Sequence, residues 1–348
     1  MDYTVKYASK IAERFKKGSI TNGGAGNDYN FTGARSVKLY SMVPAELNDY
    51  GRGSTRYGDV TDLEYTTQEM ICSQAKSFTK HLEALDNSDI AVEAAAGKFL
   101  RMELDERVTP VMDKYRLKKW LMGAATLQQM DSAPTKSSIV GDIMRLKGAM
   151  GDQLVPDTGL TLYIANTYFI LLKQADAVIG LETMGSNAVE KGTVGMFDGM
   201  AVVPVPSTWL PTGAYFMIKA KGTSADPVKL AQYDVIKKSV GYSGPVVQGL
   251  VYYDSFVIGA KNVGIGVAGS KACVLNAPAL AMDGGHKVTV TGVSDVTFYA
   301  TVDGSDPRCS STRQELSAAG ITLSEGQTLR CVGEKDGCVG LEGVKAYA

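Results

Sequence analysis

The chain has 348 residues, 45% hydrophobic and 21% charged, enough length and apolar content for roughly two or three packed domains. Its 36 lysines and arginines face 37 acids, so it lacks the basic field of a general nucleic-acid binder and has little self-repulsion to oppose packing against copies of itself. No apolar run reaches the ~18 residues of a membrane span, and the start "MDYTVKYASKIAERFKKGS" has no signal-peptide core. Folding in a cytoplasm is the expectation. The five cysteines, Cys72, Cys273, Cys309, Cys331 and Cys338, are an odd number and read as buried or idle thiols, the alternative being a disulfide formed late, after release from a cell.

Residues 1–35 read as an arm. A short amphipathic turn at Ile11 and Phe15 is followed by Lys16, Lys17 and "GSITNGGAGNDYNFTGA", too rich in glycine and asparagine to hold regular structure. From Val37 the pattern has period two, with Val37, Leu39, Ser41 and Val43 opposite Lys38, Tyr40 and Met42. It passes through "ELNDYGRGSTRYGD" and resumes at Leu63, Tyr65 and Thr67, continuing to Phe78, which predicts a β-hairpin. Neither face is apolar enough for a core of its own, so arm and hairpin are expected to find burial only on other copies of the chain. At the tip, Arg52, Arg56 and Tyr57, flanked by Asp59, are candidates for intersubunit contact, as are Lys16 and Lys17; guanidinium groups there could grip carboxylates. A solvated turn is the plainer reading.

"AVEAAAGKFLRMELDERVTPVMDKYRLKKWL", from Ala91 to Leu121, predicts one helix of roughly 45 Å, capped by Ser88 or Asp89. Val92, Ala95, Phe99 and Met102 make one stripe. Leu100, Leu104, Val108, Val111 and Tyr115 make a second, displaced by more than a quarter turn. Pro110 is expected to bend the helix or end its regular part. Two stripes suit either a helix buried on two sides or a rod that bridges different neighbours.

From Thr135 the pattern is α/β. Ile139, Ile143, Leu146 and Met150 mark a helix, "GLTLYIAN" a buried strand and "TYFILLKQA" a further helix. "VGMFDGMAVVPVPS" predicts two strands around Asp198-Gly199, and "GAYFMIKA" and "VVQGLVYYDSFVIGAKNVGIGV" supply more. "GIGVAG" at Gly264–Gly269 fits a dinucleotide loop, but no helix follows it, and its glycines read as a hinge between domains. Beyond it, short β runs at regular spacing predict a small antiparallel sandwich.

Chemistry is sparse. His81 and His286 are the only histidines, no G-x-S-x-G elbow exists, and no catalytic, cofactor or metal residues are assigned. Asp303, Gly304, Asp306 and Pro307 form a "DGSDP" turn whose carboxylates are expected to bond their own backbone, with a loose calcium site as the alternative.

Taken in order, these pieces resemble the major capsid protein of tailed bacteriophages, the Hong Kong ninety-seven-type fold also used by encapsulins. The stretch "QAKSFTKHLEALDNSDI" and the helix closing on Val108, Pro110, Asp113, Tyr115 and Arg116 look especially like one branch of phage coat proteins. The resemblance implies an α+β fold: N-terminal arm (1–35), extended loop hairpin and P-domain strand (36–86), spine helix and P domain (87–134), A domain (135–246) and strands returning to the P domain (247–268). Residues 269–348, with "VTFYATVDGSDPRCSSTRQ", resemble the immunoglobulin-like chitobiase C-terminal domain, although Gln314 stands near its usual aromatic position. On this resemblance the chain is no enzyme and uses no cofactor. It would pack with itself into hexamers and pentamers of a virion shell around double-stranded DNA, built in a host bacterial cytoplasm. Scaffold, portal and other head proteins would be its partners, with no membrane. The C-terminal domain would be an outer decoration, with cell-surface glycans as its candidate ligand. The tip has no lysine, which counts against an isopeptide crosslink there. An encapsulin-like nanocompartment, or a carbohydrate-binding adhesin acting through residues 269–348, are the alternatives.

Overall fold

The structure, a computed structural model, describes residues 18–26, 36–42, 47, 50, 52, 65–81, 101–175, 195–236, 246–291, 295–317 and 319–347. Strands β1 (Ser36–Met42) and β2 (Tyr65–Ile71) pair antiparallel, Ser36 opposite Ile71 and Met42 opposite Tyr65, as the alternating pattern predicts. Val37, Leu39 and Ser41 are half-buried and Lys38, Tyr40 and Met42 exposed. Strand β3 (Gln74–His81) leaves the hairpin and joins a separate sheet.

Residues 101–123 are helical, through a wide π turn at Leu104–Val108 and then α1 (Thr109–Gly123). Proline does not end this helix. Pro110 has no N–H to give, and the turn before it widens: the Thr109 N–H and hydroxyl (2.9 Å) both reach the Leu104 carbonyl.

β4 (Thr126–Met130), α2 (Ile139–Asp152), β5 (Leu160–Ala165), α3 (Asn166–Gln174), β6 (Gly195–Phe197), β7 (Met200–Val205) and β8 (Ala214–Ala220) follow. Then come β9 (Ser224–Ala225), β10 (Val228–Ile236), β11 (Val246–Tyr253), β12 (Phe256–Val257) and β13 (Ile265–Ser270). Asp198 (φ 48°) and Gly199 (φ 77°) make the tight turn between β6 and β7. A mixed six-stranded sheet runs β4-β13-β8-β5-β7-β6, and a three-stranded one β10-β11-β3.

Alternation along these strands builds two cores. Leu162, Ile164, Phe216 and Ile218 face α2, where Ile139, Ile143, Leu146 and Met150 are all buried. Tyr163, Met217, Ile265 and Val267 face α1, packing on Leu117, Trp120 and Leu121. β13 lies inside the sheet, so the glycines of "GIGVAG" are no hinge. A Cβ on Gly266 would stand 2.8 Å from Met150 Sδ and 3.1 Å from Leu146: the residue is small because the helix comes close.

The rest of the chain gives β14 (Val274–Leu275), β15 (Ala279–Met282), β16 (Lys287–Thr291), β17 (Thr297–Thr301) and β18 (Gln314–Glu315). β19 (Ile321–Thr322), β20 (Thr328–Lys335), β21 (Cys338–Gly340) and β22 (Gly343–Ala346) complete it. One sheet runs β14-β21-β20-β17-β18 with β22 also on β20, the other β15-β16-β19, and Val288, Phe298, Leu329 and Cys331 fill the core they share. This part is not a detached appendage. Cys273, Val274 and Cys338 belong to the same cluster as Trp120, and β13 continues through Gly269, where sequence composition shifts. Among the described residues no helix is long and apolar enough to cross a membrane.

A buried polar junction as the candidate functional site

Beneath α1 lies a cluster of buried polar groups, and it holds the glycine-rich stretch "GSITNGGAG" in place. Asp113, 0% exposed, accepts hydrogen bonds from Ser19 Oγ (2.7 Å), Ile20 N (2.9 Å) and Thr21 Oγ1 (2.6 Å). One turn on, Arg116 donates to Thr21 Oγ1 (3.1 Å), Asn22 Oδ1 (2.9 Å) and the Asp226 carbonyl (3.3 Å). A helix repeat of 3.6 puts Asp113, Arg116 and Trp120 on one face, which is why this spacing can grip one segment.

Asp226 is the hub on the far side. Its carboxylate accepts from Gly26 N (3.0 Å), Trp120 Nε1 (3.0 Å), Ser224 Oγ (2.5 Å) and Ser255 Oγ (2.5 Å). Lys219 donates to the Gly24 carbonyl (2.5 Å) and sits 4.5 Å over the Trp120 ring. Burial pulls its pKa down to about 8; the Asp226 charge opposes this and the Arg116 charge adds to it. A third carboxylate, Asp254, accepts from Ser73 N (2.8 Å), Ser73 Oγ (3.0 Å) and Tyr115 Oη (2.8 Å). Burial and the bond to Asp254 push the Tyr115 phenol well above its ordinary value.

The arm segment is therefore not left for other copies to cover. Ile20 and Thr21 are buried within their own subunit. Two of its glycines are there for close approach: a Cβ on Gly24 would stand 2.3 Å from the Tyr163 hydroxyl, and one on Gly26 only 1.7 Å from the Ser224 carbonyl oxygen.

The hairpin is covered on one face only. Met70 is fully buried, and Gln68 bonds the carbonyls of Val257 (2.8 Å) and Cys309 (3.1 Å) and the Gly259 N–H (3.0 Å). On the opposite face Tyr40, Met42 and Ile71 stay 51–68% exposed.

Of the sequence-derived candidates, Lys16, Lys17, Arg56, Tyr57, Asp59, Val92 and Phe99 lie outside the described residues, and Arg52 is exposed. Leu104, Val108 and Tyr115 pack against Met112, Val251, Tyr253 and Phe78. Val111 does not join them; it is 50% exposed, because the contact centres on Met112, a residue's rotation of about 100° away. In the "DGSDP" turn the Asp303 carboxylate accepts from Ser305 N (3.1 Å), and Asp306 from Arg308 N (2.9 Å). Gly304 takes φ 77° and Pro307 is buried. Asp306 also accepts from Asn262 (2.7 Å), so the turn faces the α/β half of its own chain. Among the described residues no group of His, Cys, Asp and Glu could hold a metal ion. His286 stacks on Tyr347 at 3.9 Å.

In the sequence Asp113 and Arg116 stand out only through the resemblance and Tyr115 also through the second helix stripe, while Asp226, Asp254, Lys219 and Gln68 were passed over. The one local signal was serine beside aspartate at a strand end, "SAD" and "YYDS". Chemically, each carboxylate here is saturated by donors. That arrangement fixes one conformation, tying the N-terminal segment, the hairpin root and both sheets to α1.

No protein-family model matches the sequence, and no curated protein does. Solved structures do. A chain of Mycobacterium phage Che8 aligns over 76% of this chain and 96% of its own at 15% identity and a TM-score of 0.58. The capsid of the cyanophage P-SCSP1u aligns over 77% and 93% (12% identity, TM-score 0.55). The mature capsid of bacteriophage PhiM1 aligns over 77% and 92% (10% identity, TM-score 0.56). The fold is that of phage capsid proteins.

Proposed function

We propose that this chain is the major capsid protein of a tailed bacteriophage, closing into hexamers and pentamers of an icosahedral shell around double-stranded DNA. The observation that carries the reading is the extent of the likeness, which takes in 92–96% of the length of the three capsid-fold chains described. The hairpin face with Tyr40, Met42 and Ile71 supports it: these large exposed side chains, with Lys38 and Glu69 among them, suit burial and ion pairing against a partner, and a second copy of the chain supplies one in head-to-tail rings. With its carboxylates saturated by donors, the junction does what a shell subunit needs of it, holding a rigid body that repeats identically.

On this reading the protein resides in the virion and assembles in the host cytoplasm with scaffold and portal proteins. Residues 269–348 stand on the outer side, where glycans of a cell surface are the candidate ligand. Negative-stain electron microscopy of the purified chain, with and without a scaffold protein, tests the reading. Closed shells, tubes or capsomers are expected; a monomer under every condition would overturn it. Nucleic acid inside particles made in an infected cell, as opposed to enzyme cargo, separates a phage head from a nanocompartment.

A further inference from the structure

Cys273 and Cys338 stand side by side at the seam between the α/β half of the chain and its C-terminal sheets. β14 and β21 pair in parallel with Val274 opposite Val339, and the same register carried back one residue sets Cys273 against Cys338. Both lie in the core cluster around Trp120, 0% and 3% exposed. Each thiol acts on the other's ionisation, in opposite senses.

The two thiols are not equivalent. Cys338 lines a cleft of about 660 Å³ between α1, the Ser207–Trp209 turn and the C-terminal sheet, whose walls also carry Lys114, Lys118 and Lys335. Cys273, fully buried, does not reach that wall. The Cys273 thiol holds the Cys338 thiol below its ordinary value, and the Lys118 ammonium adds to this against burial and Asp336. The Cys338 thiol and burial hold Cys273 above it. Burial pushes Cys309 and Cys331 up to about 12. Of the two, Cys338 is the thiol that a reagent in the cleft meets, with Cys273 behind it in the same cluster.

We propose that Cys338 and Cys273 form a reactive pair that takes a small anionic disulfide, of the oxidised-glutathione class, into the lysine-lined cleft and closes to an intrachain disulfide. The Cys338 thiolate attacks one sulfur of the small disulfide; that S–S bond breaks, a protein–small-molecule mixed disulfide forms, and one small thiolate leaves, taking up the proton Cys338 had released. Cys273 then attacks the Cys338 sulfur, its proton going to the second departing thiol. Two protein thiols are oxidised to one disulfide, and one small disulfide is reduced to two thiols. The ammonium groups of the cleft match the carboxylates of such a reagent. The link ties the strand leaving the central sheet to the last hairpin of the C-terminal part, and it stands independently of the shell reading.

The test uses the full native chain, fully reduced, freed of reductant and incubated with oxidised glutathione. Titratable thiols should fall from five to three, intact mass should drop by two hydrogens, and non-reducing peptide mapping should join Cys273 to Cys338. The oxidised chain should melt higher than the reduced one. Cys273→Ser should stop at one glutathione on Cys338, while Cys338→Ser should leave Cys273 unmodified. Retention of all five thiols by the native chain, when the same reagent oxidises the urea-unfolded chain, would overturn the proposal. So would a bridge mapped to other cysteines, or a trapped adduct elsewhere than on Cys338.

Discussion

Gly26 packs against Ser224 backbone to backbone: a Cβ on Gly26 would stand 1.7 Å from the Ser224 carbonyl oxygen, and Gly26 N donates to Asp226 two residues on. No rotamer change relieves such a contact, because the obstacle is main chain. Gly26→Ala should therefore lower subunit stability by about 1–3 kcal/mol, the usual range for overpacking, read from urea midpoints. Gly23 has nothing within 4 Å of a built Cβ, and Gly23→Ala should stay near the wild-type midpoint. Equal effects at both positions would mean the segment is not docked.

Asp113 receives three donors from residues 19–21. Asp113→Ala strands them, and leaving a buried donor without its acceptor costs about 1–3 kcal/mol. The Ile20 amide reads this directly. Its hydrogen exchange should be slow in the wild type and close to the unstructured rate in the variant.

Lys219 gives a pH signature. Its folded pKa, about 8 against an ordinary 10.5, means that the unfolded chain binds more protons between those values. Its own contribution to stability should then rise with pH from about 8 toward 10, by up to about 3 kcal/mol for the full shift, read as the difference between the wild type and Lys219→Met. Below pH 8 the burial penalty is fully present. Overall stability should fall as pH rises past about 9 and on above 10, since the thiols of Cys273, Cys309 and Cys331 and the phenols of Tyr115 and Tyr163 are raised in the folded state and the unfolded chain loses those protons first. Lys219→Met should abolish the rise and keep the fall; an unchanged slope would remove Lys219 from the account.

What could be read from the chain in advance divides along physical lines. Hairpin, α2, β5 and the Asp198-Gly199 turn announce themselves because a periodic pattern or a turn dipeptide is a local property. The same letter, glycine, misleads at Gly24, Gly26 and Gly266. In sequence it signifies freedom; here it marks close approach of Tyr163, Ser224 and Met150, which lie more than a hundred residues away. Asp226 and Asp254 were equally hidden, since a buried carboxylate is recognisable only by its donors, and these come from five separate segments, at Gly26, Ser73, α1, Ser224 and Ser255.

The C-terminal part carries another correction. Read as a separate module, it could be removed after Ala268 without harm. In the structure Cys273, Val274 and Cys338 cover Trp120 and Leu117, and Cys309 and Asp306 bond Gln68 and Asn262. A chain ending at Ala268 should lose its soluble fraction on expression. Soluble, cooperatively melting protein of that length would restore the module reading.

For the tip arginines the expectation is electrostatic. Arg52→Glu with Arg56→Glu should leave circular dichroism unchanged, since Arg52 is exposed, while particle yield falls several-fold by sedimentation. Unimpaired particles would acquit both residues.

The π turn at Leu104–Val108 has a mechanical meaning. A rod clamped at one end and interrupted partway along concentrates its compliance at the interruption, where the hydrogen-bond ladder is already out of step. Flexing there leaves the bonds of Asp113, Arg116 and Trp120 untouched. Any bending load on the helix should therefore fall on this single loosened coil and spare the docked turns beyond it.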